Sequence, residues 1–159
     1  LEVRRAPFSV RELVEKVSRV FSVQSLRGDV LFDFEVSPRI VDRRIGDAQR
    51  LGQVIINLLS NAFKFTPKGK IELRVRDLPT KGRVEFAVVD TGIGIDESNM
   101  QKIFEEFHQL KDAHTGDYTG VGLGLSIVKK YLELMQGEIQ VESRPGMGSV
   151  FVFTLPYSV

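Results

Sequence analysis

Val30, Phe32, Phe34 and Val36 alternate with Leu31, Asp33 and Glu35, the period-two pattern of a strand, and Pro38 stops it. The same alternation recurs in Ile71, Leu73 and Val75 and in Val84, Phe86 and Val88, on either side of Pro79-Thr80-Lys81-Gly82. These two runs predict a hairpin. Glu138 to Ser143 and Ser149 to Leu155 predict two closing strands around Pro145-Gly146-Met147-Gly148. Between the strands the spacing becomes helical. Val10, Leu13, Val14, Val17 and Phe21 predict a helix from Ser9 to Gln24, with Ser9 as N-cap and Glu12 completing a capping box. Asp47 is placed to cap a helix reaching about Phe65, with Pro67 just beyond it. Glu97 to about Leu110 predicts a short helix, and Leu123 to Met135 a longer one with Gly137 at its C′ position.

Helices interleave with hairpins rather than with single strands, which favours an α+β two-layer sandwich over a doubly wound fold. The expected form is a mixed, mostly antiparallel sheet of about five strands, covered on one face by about three helices. Lys111 to Thr119 is polar and aperiodic, a loop between helices.

The 159 residues suit one domain with a single core. Hydrophobic residues make up 42% and charged residues 27%, ordinary for a globular protein. With 22 basic against 21 acidic side chains, the net charge of +1 gives no global field for nucleic acid or an acidic membrane. The chain has no cysteine, which excludes disulfides, thiolate metal sites and a cysteine nucleophile. No apolar run approaches a membrane span and Leu1-Glu2-Val3-Arg4-Arg5 is not a signal peptide. We expect a cytoplasmic, monomeric fragment of a longer chain, without nucleic acid or direct membrane contact.

The helix after Asp47 carries Leu51, Ile55, Leu58 and Ala62 on one side, and Asn57, Asn61 and Lys64 along another stripe that Arg50 and Gln53 extend. Asparagine amides compete for the backbone and are poor in mid-helix. Either the stripe is a solvated face, or one amide oxygen ligates a hard cation, the other orients a water or hydroxyl, and Lys64 meets phosphate. Asp90 follows Phe86-Ala87-Val88-Val89 and precedes Thr91-Gly92-Ile93-Gly94-Ile95. Its carboxylate, an acceptor only, suits the exocyclic amine of adenine, although a turn aspartate before glycine is also common. Gly120-Val121-Gly122-Leu123-Gly124-Leu125 runs into a helix, where exposed N–H groups bind phosphate oxygens. It is neither a P-loop nor a dinucleotide fingerprint.

Asn57 to Thr66 resembles the N box of sensor histidine kinases, and Asp90-Thr91-Gly92-Ile93-Gly94 their first glycine box. Ile103-Phe104-Glu105-Glu106-Phe107 resembles the F box, residues 120–125 the second glycine box, and Gly146 to Phe151 the last glycine motif. Pro7-Phe8-Ser9-Val10-Arg11-Glu12-Leu13 is similar to the segment entering this domain, so the likeness spans nearly the whole chain.

The resemblance implies a Bergerat fold, shared with gyrase B, Hsp90 and MutL, that binds ATP and Mg²⁺ and transfers the γ-phosphoryl group to a histidine. It implies that Asn61 coordinates Mg²⁺ and that Asn57 stands where ATPase relatives carry a glutamate base. Asn57 and Lys64 are then the catalytic candidates. Lys64 would contact phosphate, Phe65 would pack by the nucleotide, Asp90 would take the adenine amine, Ile95 would face the ring, and Ser149 would lie near a shared water. Gly92, Gly94, Gly120, Val121, Gly122, Leu123, Gly124 and Leu125 complete the implied ATP site, with a lid over about 97–120. Residues 1–8 would be a linker from a phosphoacceptor-histidine dimerisation domain of the same protein, and residues 9–159 the single catalytic domain. The parent would be a homodimer, with or without a membrane anchor, passing its phosphoryl group to a response regulator receiver domain.

Two departures stand out. His108-Gln109-Leu110-Lys111 occupies the place where the family often has an arginine, so that role is vacant or falls to Lys111. No phosphoacceptor box surrounds His108 or His114. A nucleotide-binding interaction module without kinase activity, and a gyrase- or Hsp90-type ATPase, are the alternatives.

Overall fold

The computed structural model describes residues 2–100, 102–103 and 119–156. In chain order the elements are β1 (Ala6–Ser9), α1 (Val10–Ser25), β2 (Asp29–Val36), β3 (Arg43–Gly46), α2 (Ala48–Phe65), β4 (Lys68–Leu78), β5 (Arg83–Asp90), α3 (Glu97–Met100), α4 (Thr119–Leu134), β6 (Glu138–Ser143) and β7 (Ser149–Pro156). A 3₁₀ turn at Pro79–Lys81 closes the β4–β5 hairpin. The main sheet has five strands in the order β2-β4-β5-β7-β6. β2 and β4 run parallel, and the other pairs are antiparallel. The expected two-layer sandwich is therefore present.

Strict alternation sets the layers. Along β5 and β7 every second residue is buried, so Phe86 and Phe153 stack at 4.7 Å with ring planes 8° apart. The amphipathic helices close over that side. Val10, Val14, Val17 and Phe21 of α1 share one core with Leu51, Val54, Ile55, Leu58 and Leu59 of α2 and with Leu125, Val128 and Leu132 of α4. Among the described residues, no helix is long and apolar enough to cross a membrane.

Both predicted N-caps form. The Ser9 hydroxyl accepts from the Glu12 N–H at 3.1 Å and donates to Asp42 at 2.7 Å. Asp47 accepts from the Arg50 N–H at 3.0 Å. Residues 6–8, within the segment expected to enter from another domain, form part of β1, which pairs antiparallel with β3 in a separate two-stranded sheet. Neither strand was legible, because four residues are too few to show a period.

Two further expectations are corrected at α4. It begins at Thr119 rather than Leu123, so Gly120, Gly122 and Gly124 lie inside its first turns instead of ahead of it. Three glycines cost about 1 kcal/mol each against alanine, which is why propensity places the start too late. At the other end Gln136, not Gly137, holds the left-handed C′ position with φ 58°. The N–H of Gly137 bonds Leu132 O at 2.7 Å and that of Gln136 bonds Glu133 O at 3.2 Å, a Schellman ending. Gly137 is glycine for lack of space, since a Cβ there would stand 2.8 Å from Leu155 Cδ2. Replacing Gln136 with Gly removes left-handed strain and is expected to raise unfolding stability by about 1 kcal/mol in urea denaturation. No gain would mean the strain is already relieved locally.

Candidate functional site

Asp90 ends β5, directly opposite Ser149 on β7, while Ser149 is paired in turn with Ser143 on β6. Three polar side chains thus sit abreast where the helix-facing side of the sheet is otherwise apolar. Asp90 is only 6% exposed. Burial pushes its carboxyl above the ordinary 3.8, opposed by the N–H groups of Gly92 and Ser149 and by the neighbouring Thr66 hydroxyl. The Gly92 N–H reaches Asp90 Oδ1 at 2.9 Å. An anionic acceptor is thereby fixed in a mostly apolar surround, which costs free energy unless a ligand uses it.

The walls around it are tied by backbone. Ile93 N donates to Phe65 O at 3.0 Å and Gly146 N to Ile93 O at 2.7 Å, so the segment after β5 is held between the end of α2 and the β6–β7 turn. Gly148, at φ 81°, lies so close that a Cβ would stand 2.1 Å from the Asp90 carbonyl oxygen. Any side chain there would force the turn off the Asp90 strand. Ile95 is half-buried and packs on the core.

The asparagine stripe of α2 is present, and its members differ. Asn57 is engaged at both ends, accepting from Gln53 Nε2 at 2.7 Å and donating to Gly124 O at 3.1 Å. It ties α2 to the first turns of α4. Asn61, one turn on, is 9% exposed, and its amide nitrogen has no hydrogen-bond partner among the described residues. The unpartnered atom is the amide nitrogen, a donor, whereas the atom of an amide that ligates a cation is its oxygen. Among the described residues no cluster of acidic, histidine or cysteine side chains could hold a metal alone. An amide oxygen assisting a cation carried by a polyanion fits this donor set.

Lys64 is exposed in the last turn of α2 and Phe65 is half-buried beside it. Arg50, expected to extend the stripe, is instead paired with Asp47 at 2.7 Å and lies 5.5 Å from the Tyr131 ring centroid. Leu125 is a core side chain at 1% exposure, so its support for a ligand would come through packing. The backbone of Gly120, Val121, Gly122, Leu123 and Gly124 is helical. The first N–H groups of a helix lack intrahelical partners, so backbone donors remain at this end although the glycines are inside. Of the implied lid only α3, Lys102, Ile103 and the start of α4 are described. Phe104 to Phe107, His108, Lys111 and His114 lie outside the described residues.

Two residues of this site carried no role in the sequence analysis. Thr66 is 1% exposed beside Asp90, and Ser143 is the hub joining Ile95, Gly148 and Ser149. A signal for Ser143 existed. It interrupts the apolar positions Ile139 and Val141 on the helix-facing side of β6.

The family model described as histidine kinase-, DNA gyrase B- and HSP90-like ATPase matches residues 46–159. Sensor histidine kinase AruS of Pseudomonas aeruginosa is 41% identical over 151 residues, 93% of this chain and 15% of that protein. The chain therefore spans a small part of the curated relatives it matches. Full-length ShkA, solved in complex with AMPPNP, superposes with a TM-score of 0.86 at 31% identity, covering 100% of this chain and 32% of that one. The catalytic domain of histidine kinase ThkA superposes with a TM-score of 0.82 at 32% identity, covering 98% and 99% of the two chains. ThkA in complex with the response regulator protein TrrA gives a TM-score of 0.78 at 30% identity, covering 98% and 42%.

Proposed function

This chain belongs to the histidine kinase-, DNA gyrase B- and HSP90-like ATPase family, and from that membership we propose that it binds ATP with Mg²⁺ and phosphorylates a histidine of its parent's dimerisation domain. The observation that supports the reading is the buried, ionisable Asp90, held beside backbone-tied walls at the end of β5. Asp90 accepts from the adenine amine, Ile95 and Phe65 bracket the ring, and Lys64 together with the first N–H groups of α4 meets the phosphates. Asn61 would hold Mg²⁺, whose charge lowers the cost of negative charge gathering on the transferring group. In the transfer, the bond between the γ-phosphorus and its bridging oxygen breaks and a bond to the histidine nitrogen forms, with ADP leaving. The protein's share is positioning and electrostatics.

The ATPase alternative needs a base near the γ-phosphate. By the resemblance that place would fall to Asn57, whose amide is engaged at both ends, and an amide does not take up a proton at neutral pH. Transfer to a response regulator would follow from the parent's phosphohistidine, as the complex of ThkA with TrrA suggests.

Mixing the protein with a fragment bearing a phosphoacceptor histidine and labelled ATP should yield acid-labile phosphohistidine. Tight ATP binding with no phosphohistidine would instead favour an interaction module. Asn61→Ala tests the metal end separately. Wild-type ATP affinity should rise about tenfold with Mg²⁺ while the variant shows little dependence, roughly 1.4 kcal/mol of coupling. An unchanged Mg²⁺ effect would remove Asn61 from the metal site.

A further inference from the structure

Gln53 lies on the exposed side of α2, one turn before Asn57. Its Nε2 stands 2.7 Å from Asn57 Oδ1, and Asn57 Nδ2 stands 3.1 Å from the carbonyl oxygen of Gly124 on α4. Chemistry fixes the direction of this relay. A backbone carbonyl only accepts, so the NH₂ of Asn57 must face Gly124. The Asn57 oxygen then faces Gln53 and calls for a donor, so the NH₂ of Gln53 must point at it. Turned round, the Asn57 amide would set its own oxygen against that of Gly124. Gln53 is therefore the group that holds Asn57 in the orientation that can bond α4.

The far end of the relay is the part of α4 least able to stand alone. Residues 119–124 are helical although three of them are glycine, a poor helix former. α4 lies flush on α2 here, since a Cβ added to Gly124 would stand 3.9 Å from Asn57 Cγ. A helix start of that composition needs an external hold, and the bond from Asn57 to Gly124 supplies one. We propose that Gln53 is a positioning residue: by orienting Asn57 it keeps the glycine-rich start of α4 helical, and so presets the backbone N–H groups that receive the phosphates. The inference rests on the reading that this end of α4 meets phosphate. It adds a residue that acts through another and not on the ligand.

Hydrogen exchange in the ligand-free protein reads the hold directly. Gln53→Met removes the donor at similar length, and Gln53→Glu puts an acceptor in its place. Both should speed exchange of the amides from Gly124 to Val128 about fivefold, the worth of one hydrogen bond. Gln53→Lys restores a donor and should return the wild-type rate. Gln, Met, Glu and Lys have nearly equal helix propensity, so α2 itself is not what changes. Calorimetry with ADP and adenosine then separates phosphate from base. In Gln53→Met, ADP should bind about fivefold more weakly and adenosine less than twofold. Equal weakening of the two ligands, or exchange that is the same in the Lys and Met variants, would show mere structural support and overturn the proposal. Wild-type protein that binds no ADP would instead sink the nucleotide reading itself, so the two failures are distinguishable.

Discussion

Asp90→Asn should weaken ADP binding about 100-fold or more, with the fold intact. The Asp90 carboxylate accepts from Gly92 N–H and Ser149 N–H and keeps acceptor capacity for a ligand amine. An asparagine has only one acceptor atom. The two protein N–H groups claim it, so the NH₂ turns towards the adenine amine, donor against donor. Losing a charge-assisted bond costs about 1.5–3 kcal/mol and leaving buried donors unmet adds about 1–3 more. Together these exceed the roughly 2.7 kcal/mol that a hundredfold change requires. Titration calorimetry with ADP measures it, and a change under threefold would place the base elsewhere.

The same carboxyl sets a pH dependence. Burial raises its folded value above the ordinary 3.8, so folding favours the protonated form. That contribution to stability is present at acid pH and is lost as pH rises through the raised value. An adenine amine needs the ionised form, so affinity has the opposite trend. ADP binding, corrected for the ligand's own ionisation, should begin to fall on acidification at a pH above the ordinary aspartate range. An onset at or below pH 3.8 would contradict the desolvated environment.

Asp77→Ala is expected to produce the largest loss of stability, about 3–5 kcal/mol. Arg44 on β3 and Asp77 on β4 form an ion pair in which each side chain is only 7% exposed. Asp77 also accepts from the Val41 N–H at 2.8 Å, so one carboxylate anchors the small β1–β3 sheet to the main one. Removing it leaves a guanidinium charge beside an apolar cleft lined by Phe8, Leu51, Phe86, Met135 and Leu155. Domains of this size have about 5–15 kcal/mol in total, so partial unfolding at 37 °C is expected. Arg44→Met with Asp77→Leu removes both charges and should recover most of the loss. Chemical denaturation decides, and a single-variant loss below about 1 kcal/mol would mean that water screens the pair.

Legibility tracked the range of the interaction that fixes each feature. The Ser9 and Asp47 caps, the β4–β5 hairpin and the alternation of β5 and β7 are set within a few residues, and each was readable from spacing. The asparagine stripe was readable for the same reason, since a helix brings positions four apart onto one face. β1 and β3 were not, because they exist only through pairing across 33 or more intervening residues. The start of α4 was misplaced because long-range ties, including Asn57 to Gly124, offset a local glycine penalty. Gln136 rather than Gly137 holds the left-handed position, and Gly137 is instead the residue whose side chain Leu155 would exclude, a constraint set by a strand distant in the chain.

The sequence by itself determined the two-layer architecture and the family, and named candidate residues for a nucleotide site, because periodicity and ordered motifs are local properties. It supplied a list of candidates without roles. Only the tertiary structure decided that Asn57 is bound at both ends while the buried amide nitrogen of Asn61 has no partner among the described residues, that burial raises the carboxyl of Asp90, and that Ser143 and Ser149 extend its row across the sheet. Those distinctions depend on desolvation and on hydrogen bonds between strands and helices distant in sequence, and no local pattern encodes either.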